Sequence, residues 1–233
     1  MPTSSATLSS VTFQEADRAQ LSFLAPLEKP CLIWMARRMP RAINSDHLTA
    51  LGLIALLAAG LCYWYSRWNR AALLLVIVCL VANWAGDSLD GTLARVRNNQ
   101  RPRYGFYVDH IVDCLGALFL LGGLGLSGFM SHGIALGLLI VYLLISCDIY
   151  LATYTLGKFE ISFWKFSPTE LRILLAAGNV ALFLKPTAGM TLFGDRYSMF
   201  DIGGAVGIVG MTLVLAVSII RHTRALYRAE PMR

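Results

Sequence analysis

Residues 71–95 read AALLLVIVCLVANWAGDSLDGTLAR, and their order decides what kind of molecule this is. No charged side chain interrupts the run from Ala71 to Gly86, after which Asp87, Asp90 and Arg95 follow in quick succession. A helix crossing a hydrocarbon core of about 30 Å needs about 20 mostly apolar residues. The stretch therefore reads as a membrane span whose last turns carry carboxylates to the edge of the bilayer.

Working outward, the same apolar pattern recurs at Leu48–Tyr65, Tyr107–Phe129, Ile134–Leu156, Glu170–Leu184 and Ile202–Ile220. With the run beginning at Ala71 this makes six. The fold class expected is all-α, an integral membrane bundle of six transmembrane helices. The Glu170–Leu184 run is short and must tilt, bend or be shielded by neighbours. Composition agrees: 56% of the 233 residues are hydrophobic and 15% charged, against roughly a quarter charged in soluble domains. Glycine recurs inside the runs, as expected where membrane helices approach closely. The five cysteines (Cys31, Cys62, Cys79, Cys114 and Cys147) are isolated. They form no disulfide or zinc spacing and are expected to be small buried hydrophobes.

The formal net charge of +6 does not indicate a nucleic-acid partner, because the basic residues are sorted by side. If both termini face the cytoplasm, sixteen Lys and Arg fall inside, and only Arg67, Arg70, Lys185 and Arg196 fall outside. Such a bias sets orientation, with the inner (cytoplasmic) membrane as the location in a bacterium. Ahead of the spans, residues 1–14 are rich in Ser and Thr and are expected to be disordered. Residues 15–47 form a juxtamembrane segment. Within it Cys31, Leu32, Trp34 and Met35 share a helical face between Pro30 and Pro40, which suggests an N-terminal interfacial amphipathic helix opened by Pro30. Residues 48–221 then form the six-helix domain and 222–233 a cytoplasmic tail.

Placed on a helix at about 100° per residue, Asp87, Asp90, Gly91, Ala94 and Arg95 share one face. Nine residues on, Gly105, Asp109 and Asp113 recur every fourth position and also align. Helices joined by so short a basic loop run antiparallel, so the two acidic faces are expected to meet at one depth. Each Asp at mid-membrane costs on the order of 2.5–3.5 kcal/mol, and crowded like charges add to that. Hard divalent cations offset both terms, and oxygen ligands suit Mg²⁺ or Mn²⁺. Two such ions would clamp a diphosphate. Gly91 and Ala94 leave room for a nucleotide, and Arg95 offers a fork to phosphate. The plain alternative is a set of structural ion pairs between Asp and the loop arginines, which would not call for small residues on the acidic face.

This pattern resembles the signature of the CDP-alcohol phosphotransferase family, D-x2-D-G-x2-A-R-x8-G-x3-D-x3-D, whose members commonly have six membrane helices. Every named position is present; nine residues rather than eight separate Arg95 from Gly105. The resemblance implies Asp87, Asp90 and Asp109 as ligands of two divalent metal ions. It implies Asp113 as a further ligand or as the catalytic base, with His110 the other base candidate. Gly91, Ala94 and Arg95 would contact the cytidine nucleotide, with Asp90 and Gly105 in the same substrate-binding set. Asn44 and Thr49 resemble the family's entry to its first helix, which lines the nucleotide pocket. The implied partners are a CDP-alcohol and a lipid substrate or product, with a homodimer left open.

Two arrangements of the chemistry remain. Phosphatidyl transfer from CDP-diacylglycerol to a soluble alcohol is one, and Arg101 and Arg103 would suit an acceptor phosphate. Transfer of phosphocholine or phosphoethanolamine to diacylglycerol is the other. Val108-Asp109-His110 and the Thr169-Glu170 helix entry resemble that branch, whereas Phe106 departs from its Glu. A membrane prenyltransferase would carry two separate Asp-rich motifs and more spans. A divalent-cation transporter would place acids near mid-membrane on several helices. A scaffold would leave the carboxylates without a purpose.

Overall fold

The computed structural model describes residues 25–156, 168–192 and 195–230. Among these lie seven helices: α1 (Ala25–Arg38), α2 (Ser45–Tyr65), α3 (Ala72–Val96), α4 (Pro102–Leu126), α5 (His132–Leu156), α6 (Pro168–Leu184) and α7 (Met199–Ala229). A two-stranded antiparallel hairpin, β1 (Gly189–Leu192) and β2 (Asp195–Ser198), precedes α7. Five helices, α2, α3, α4, α5 and α7, are long and apolar enough to cross a membrane. At 17 residues α6 is about 25 Å long, shorter than a bilayer core. α7 continues to Ala229, so most of the segment expected as a tail is helical.

α2 is the spine. It packs along both α3 and α4, which scarcely approach one another; α6 lies on α3, α5 on α4, and α7 on α5. Small residues permit the two tight crossings of α2. A Cβ on Gly86 of α3 would stand 2.6 Å from the Leu48 carbonyl oxygen, and one on Gly123 of α4 would stand 2.1 Å from that of Gly60. Only hydrogen fits at either position, and backbone meets backbone there. α2 also starts cleanly. Asn44 Oδ1 accepts from His47 N at 3.0 Å while His47 Nδ1 accepts from Asn44 N at 3.3 Å, a reciprocal cap.

Two apolar clusters hold the bundle. One gathers Tyr63, Leu73, Val76, Leu80, Leu124, Leu182 and Phe200 towards the hairpin end. There the buried Asn179 amide of α6 donates to the Tyr63 hydroxyl at 2.9 Å. The other joins Leu32 and Ala36 of α1 to Leu48, Leu89 and Leu93 at the opposite end. Large apolar side chains such as Ile54, Val78, Leu151 and Leu213 are exposed around the outside, as a protein surrounded by lipid requires.

Three expectations need correction, and one element was not foreseen. Pro30 does not open α1 but lies within it, where it forgoes one backbone bond to the carbonyl four residues back. The apolar set on α1 splits: Leu32 packs on the bundle, while Cys31 and Trp34 face outward, Trp34 under the Arg38 guanidinium at 4.1 Å. None of the cysteines is fully buried, and Cys147 is exposed on the bundle surface. The hairpin was not expected. It fits because Ser198 donates to the Phe129 carbonyl and Met199 N to that of Ala188, tying the α6–α7 connection to the α4–α5 turn. The expected disordered segment 1–14 lies outside the described residues.

Candidate active site

The carboxylates stand on two helices, and the space that Asp87, Asp90 and Asp109 share is termed the cleft, with α3 and α4 as its walls. α3 presents Asp87 and Asp90, and α4 presents Asp109 and Asp113; all four are partly buried. The N-terminal part of α2 braces the α3 wall. Its Thr49 hydroxyl donates to Asp90 Oδ2 at 2.6 Å, while Asp90 Oδ1 accepts from Gly91 N at 2.6 Å. Asp90 is thus fixed by neutral donors. Asp87 and Asp109 lie within electrostatic reach of it. Leu89, one residue before Asp90, and Leu93, one turn further on, face the second apolar cluster, so helical period turns the acids to another side of α3.

The two acidic faces are carried by helices that both pack on α2. Among the described residues no group of three or more His, Cys, Asp or Glu side chains stands ready arranged as a metal site. Donor chemistry nevertheless fits a hard divalent ion: Asp87, Asp90 and Asp109 offer only oxygen, and a guanidinium already stands against Asp87. That guanidinium is Arg172 of α6, whose NH2 donates to Asp87 Oδ2 at 2.5 Å and whose Nε donates to Asn83 Oδ1 at 2.8 Å. Asn83 is held in turn by the Gly52 carbonyl at 3.1 Å.

Small residues at the cleft are not demanded by helix packing. A Cβ on Gly91 would meet only the Arg95 guanidinium at 3.5 Å, and one on Gly105 would meet nothing within 4 Å. Arg95 is exposed and makes a 3.2 Å contact with Thr92 Oγ1. Ala94 is partly buried, and the Asn44 side chain is engaged in the α2 cap. The extra residue between Arg95 and Gly105 is taken up in the connection, where Asn98 turns with φ 54° and Asn99 N returns to the Ala94 carbonyl at 2.9 Å. Asn tolerates that left-handed turn better than other side chains.

On the α4 wall, His110 Nδ1 lies 2.6 Å from the Phe106 carbonyl. A carbonyl only accepts, so this nitrogen carries the proton and any base function falls to Nε2. The ring stacks on Phe106 (4.1 Å between centroids) and meets Tyr150 of α5 edge-on (4.9 Å). Asp113 lies one turn deeper, within electrostatic reach of Tyr142 and Tyr150.

Three further residues had no motif to announce them. Arg172 and Asn83 are described above. Glu28 of α1 accepts through Oε1 from Trp84 Nε1 (2.5 Å), Ser88 Oγ and Thr169 Oγ1 (both 3.3 Å), pinning α1 to α3 and α6 beside the cleft. The available signal was polarity inside apolar helices: Asn83 precedes Asp87 by one turn, and Arg172 stands one turn into α6. Asp148, by contrast, faces away from the cleft onto Ser218 and His222 of α7. A cavity of about 810 Å³ opens at the hairpin end between Arg67, Arg70, Ser127 and Phe183, remote from the carboxylates.

The profile of the CDP-alcohol phosphatidyltransferase family matches residues 43–220, from the cap of α2 to about two thirds of the way along α7. The chain belongs to that family. No curated protein sequence matches the chain closely enough to add to this. CDP-alcohol phosphatidyltransferases move a phosphatidyl or phosphoalcohol group from a CDP-alcohol, so the chain is a membrane-embedded transferase of phospholipid synthesis. The matched segment contains both walls of the cleft and the brace from α2. α1 lies outside it, although Glu28 touches α3 within it.

Proposed function

We propose that this chain transfers a substituted phosphate from a CDP-alcohol to an acceptor hydroxyl, releasing CMP, in a reaction that needs two divalent ions, Mg²⁺ or Mn²⁺. The observation that carries this reading is the face Asp87–Asp90–Gly91–Ala94–Arg95 on α3, with Asp90 fixed by Thr49, opposite Asp109 and Asp113 on α4. Gly91 and Gly105 sharpen it. Packing within the chain does not require glycine there, whereas a nucleotide lying on the helix would.

Asp87, Asp90 and Asp109 would hold the ions, with Asp113 a fourth donor. When bound, the ions supply Lewis-acid stabilisation of charge at the reacting phosphorus. Arg95 would receive phosphate oxygens, and Gly91, Ala94, Asn44 and Thr49 would flank the cytidine. The acceptor oxygen bonds to phosphorus as the bond to the CMP oxygen breaks. The acceptor proton passes to the Asp113 carboxylate or to His110 Nε2. Both lie on the α4 wall, so the acceptor enters from the α4–α5 side while the nucleotide lies along α3.

Two donor classes remain in play, CDP-diacylglycerol and the CDP-amino alcohols. Metal-dependent CMP release from CDP-diacylglycerol, CDP-choline and CDP-ethanolamine, each with candidate acceptors, tests the reading and separates the classes. Absence of CMP release from all of them, or release insensitive to chelation, overturns it. A prenyl diphosphate substrate would yield no CMP, and a cation transporter would show metal flux without turnover.

A further inference from the structure

Asp87 and Asp90 sit one turn apart on the same helix, yet their surroundings differ in kind. Neutral groups, the Thr49 hydroxyl and the Gly91 amide, hold Asp90. A full positive charge holds Asp87: Arg172 reaches across from α6 with its side chain 16% exposed, and the Asp87 side chain is 29% exposed. The guanidinium has a second anchor in Asn83, one turn back on α3, so two donors of the fork grip one face of that helix. Asn83 is itself 5% exposed and fixed to the α2 backbone.

We propose that Arg172 is the resident counter-ion of Asp87, balancing the carboxylate in the metal-free enzyme and competing with the divalent ion for it. This rests on the reading of Asp87 as a metal ligand. The argument is one of charge. Four carboxylates facing one cleft in a bilayer repel each other and are poorly solvated. A guanidinium against one of them relieves that cost while no metal is present. Once a dication binds, the same guanidinium is a like charge beside it, and the two compete for the Asp87 carboxylate. Among the described residues no cation grips Asp90 in this way, and its neutral donors orient it without opposing a cation. The Nε contact to Asn83 does not involve Asp87, so Arg172 keeps an anchor when it yields the carboxylate.

A residue that merely oriented a metal ligand would have the opposite signature, since losing such support weakens metal binding by about 10–100-fold. The test is Mn²⁺ binding to the purified full chain without nucleotide, read from the electron paramagnetic resonance of free Mn²⁺, together with thermal melting with and without Mn²⁺. Arg172→Gln is expected to bind Mn²⁺ several-fold more tightly than wild type, and Mn²⁺ is expected to raise its melting temperature by more. Arg172→Lys keeps a positive charge for folding but loses the two-donor fork, and is expected to fall between the two. Equal or weaker Mn²⁺ binding in either variant overturns the counter-ion role. Asp87→Asn separates the two levels of inference. If it binds Mn²⁺ as wild type does, Asp87 is not a ligand and the reading of the site itself fails. If it loses binding while the Arg172 variants are unchanged, only the counter-ion role falls.

Discussion

At the scale of single residues, the acids were legible because a helix converts spacing into a face. Asp87 and Asp90, then Asp109 and Asp113, fall on two stripes that can be drawn from the sequence alone. Arg172, Asn83 and Glu28 were not legible in this way: Arg172 reaches Asp87 across 85 positions of sequence, and no local period encodes such a pair. We expect Asp87→Asn, Asp90→Asn and Asp109→Asn each to abolish CMP release while leaving a folded protein, because each removes charge with little change of volume. Near wild-type turnover at limiting Mg²⁺ or Mn²⁺ would remove that residue from the ligand set. The base is a separate question. Asp113 lies about 6 Å further along α4 than Asp109, away from the loop arginines, where an acceptor hydroxyl can approach. Asp113→Asn should lower turnover about 10²–10⁴-fold with nucleotide binding retained. If binding falls in proportion to turnover, Asp113 is chiefly a ligand. The turnover-only defect should then appear in His110→Ala.

At the scale of elements, glycine stands in two kinds of surroundings that sequence does not distinguish. Gly86 and Gly91 are five residues apart on one helix, and only the packing around them tells their roles apart. A side chain on Gly86 would drive into the α2 backbone, with Leu48 O at 2.6 Å and Gly52 N at 2.7 Å. Gly86→Val should therefore push α2 from α3, costing about 1–3 kcal/mol. It should also loosen the Thr49–Asp90 bond, so that melting temperature and activity fall together. Gly91→Ala is expected to do the reverse. Its methyl meets only the mobile end of Arg95 at 3.5 Å, and replacing a mid-helix glycine by alanine stabilises by about 0.5–1 kcal/mol. Stability should hold or rise while KM for the CDP-alcohol increases. An unchanged KM would remove the nucleotide from the surface of α3. The helix ends follow the same division: the runs were visible as uninterrupted apolar stretches, whereas the hairpin is held by contacts between distant turns.

At the scale of the whole molecule, the apolar runs announced an all-α bundle, five of the six becoming helices long and apolar enough to cross a membrane, but not that α2 would stand between α3 and α4. Loop length ties two helices together in sequence; it does not make them pack, and here the smallest residues lie on the faces that meet α2. Charge completes the picture. The end of the bundle bearing the cleft carries Arg37, Arg38, Arg41, Arg95, Arg97, Arg101, Arg103, Arg221, Arg224 and Arg228, while the hairpin end carries Arg67, Arg70, Lys185 and Arg196. Lys158 and Lys165, expected on the first side, lie outside the described residues. Arg97 adds a structural role to its charge, donating to the carbonyls of Met39, Pro40 and Ile43 and so holding the α1–α2 connection against the end of α3. Since basic residues are retained on the cytoplasmic side, we expect the cleft to open there. For this to hold, α6 must carry the chain from the cleft end, where Arg172 meets Asp87, to the hairpin end, where α7 begins, despite its length of 17 residues. Packing against α3 and the buried Asn179–Tyr63 bond shield it on that path. Single cysteines read out this arrangement once the exposed Cys31 and Cys147 are replaced. A cysteine at position 70 or 196 should react with an impermeant reagent added outside intact cells. One at position 99 or 228 should react only after the membrane is opened. Labelling of 70 or 196 from the cytoplasmic side alone would invert the molecule, and a split between 70 and 196 would mean that α6 does not cross.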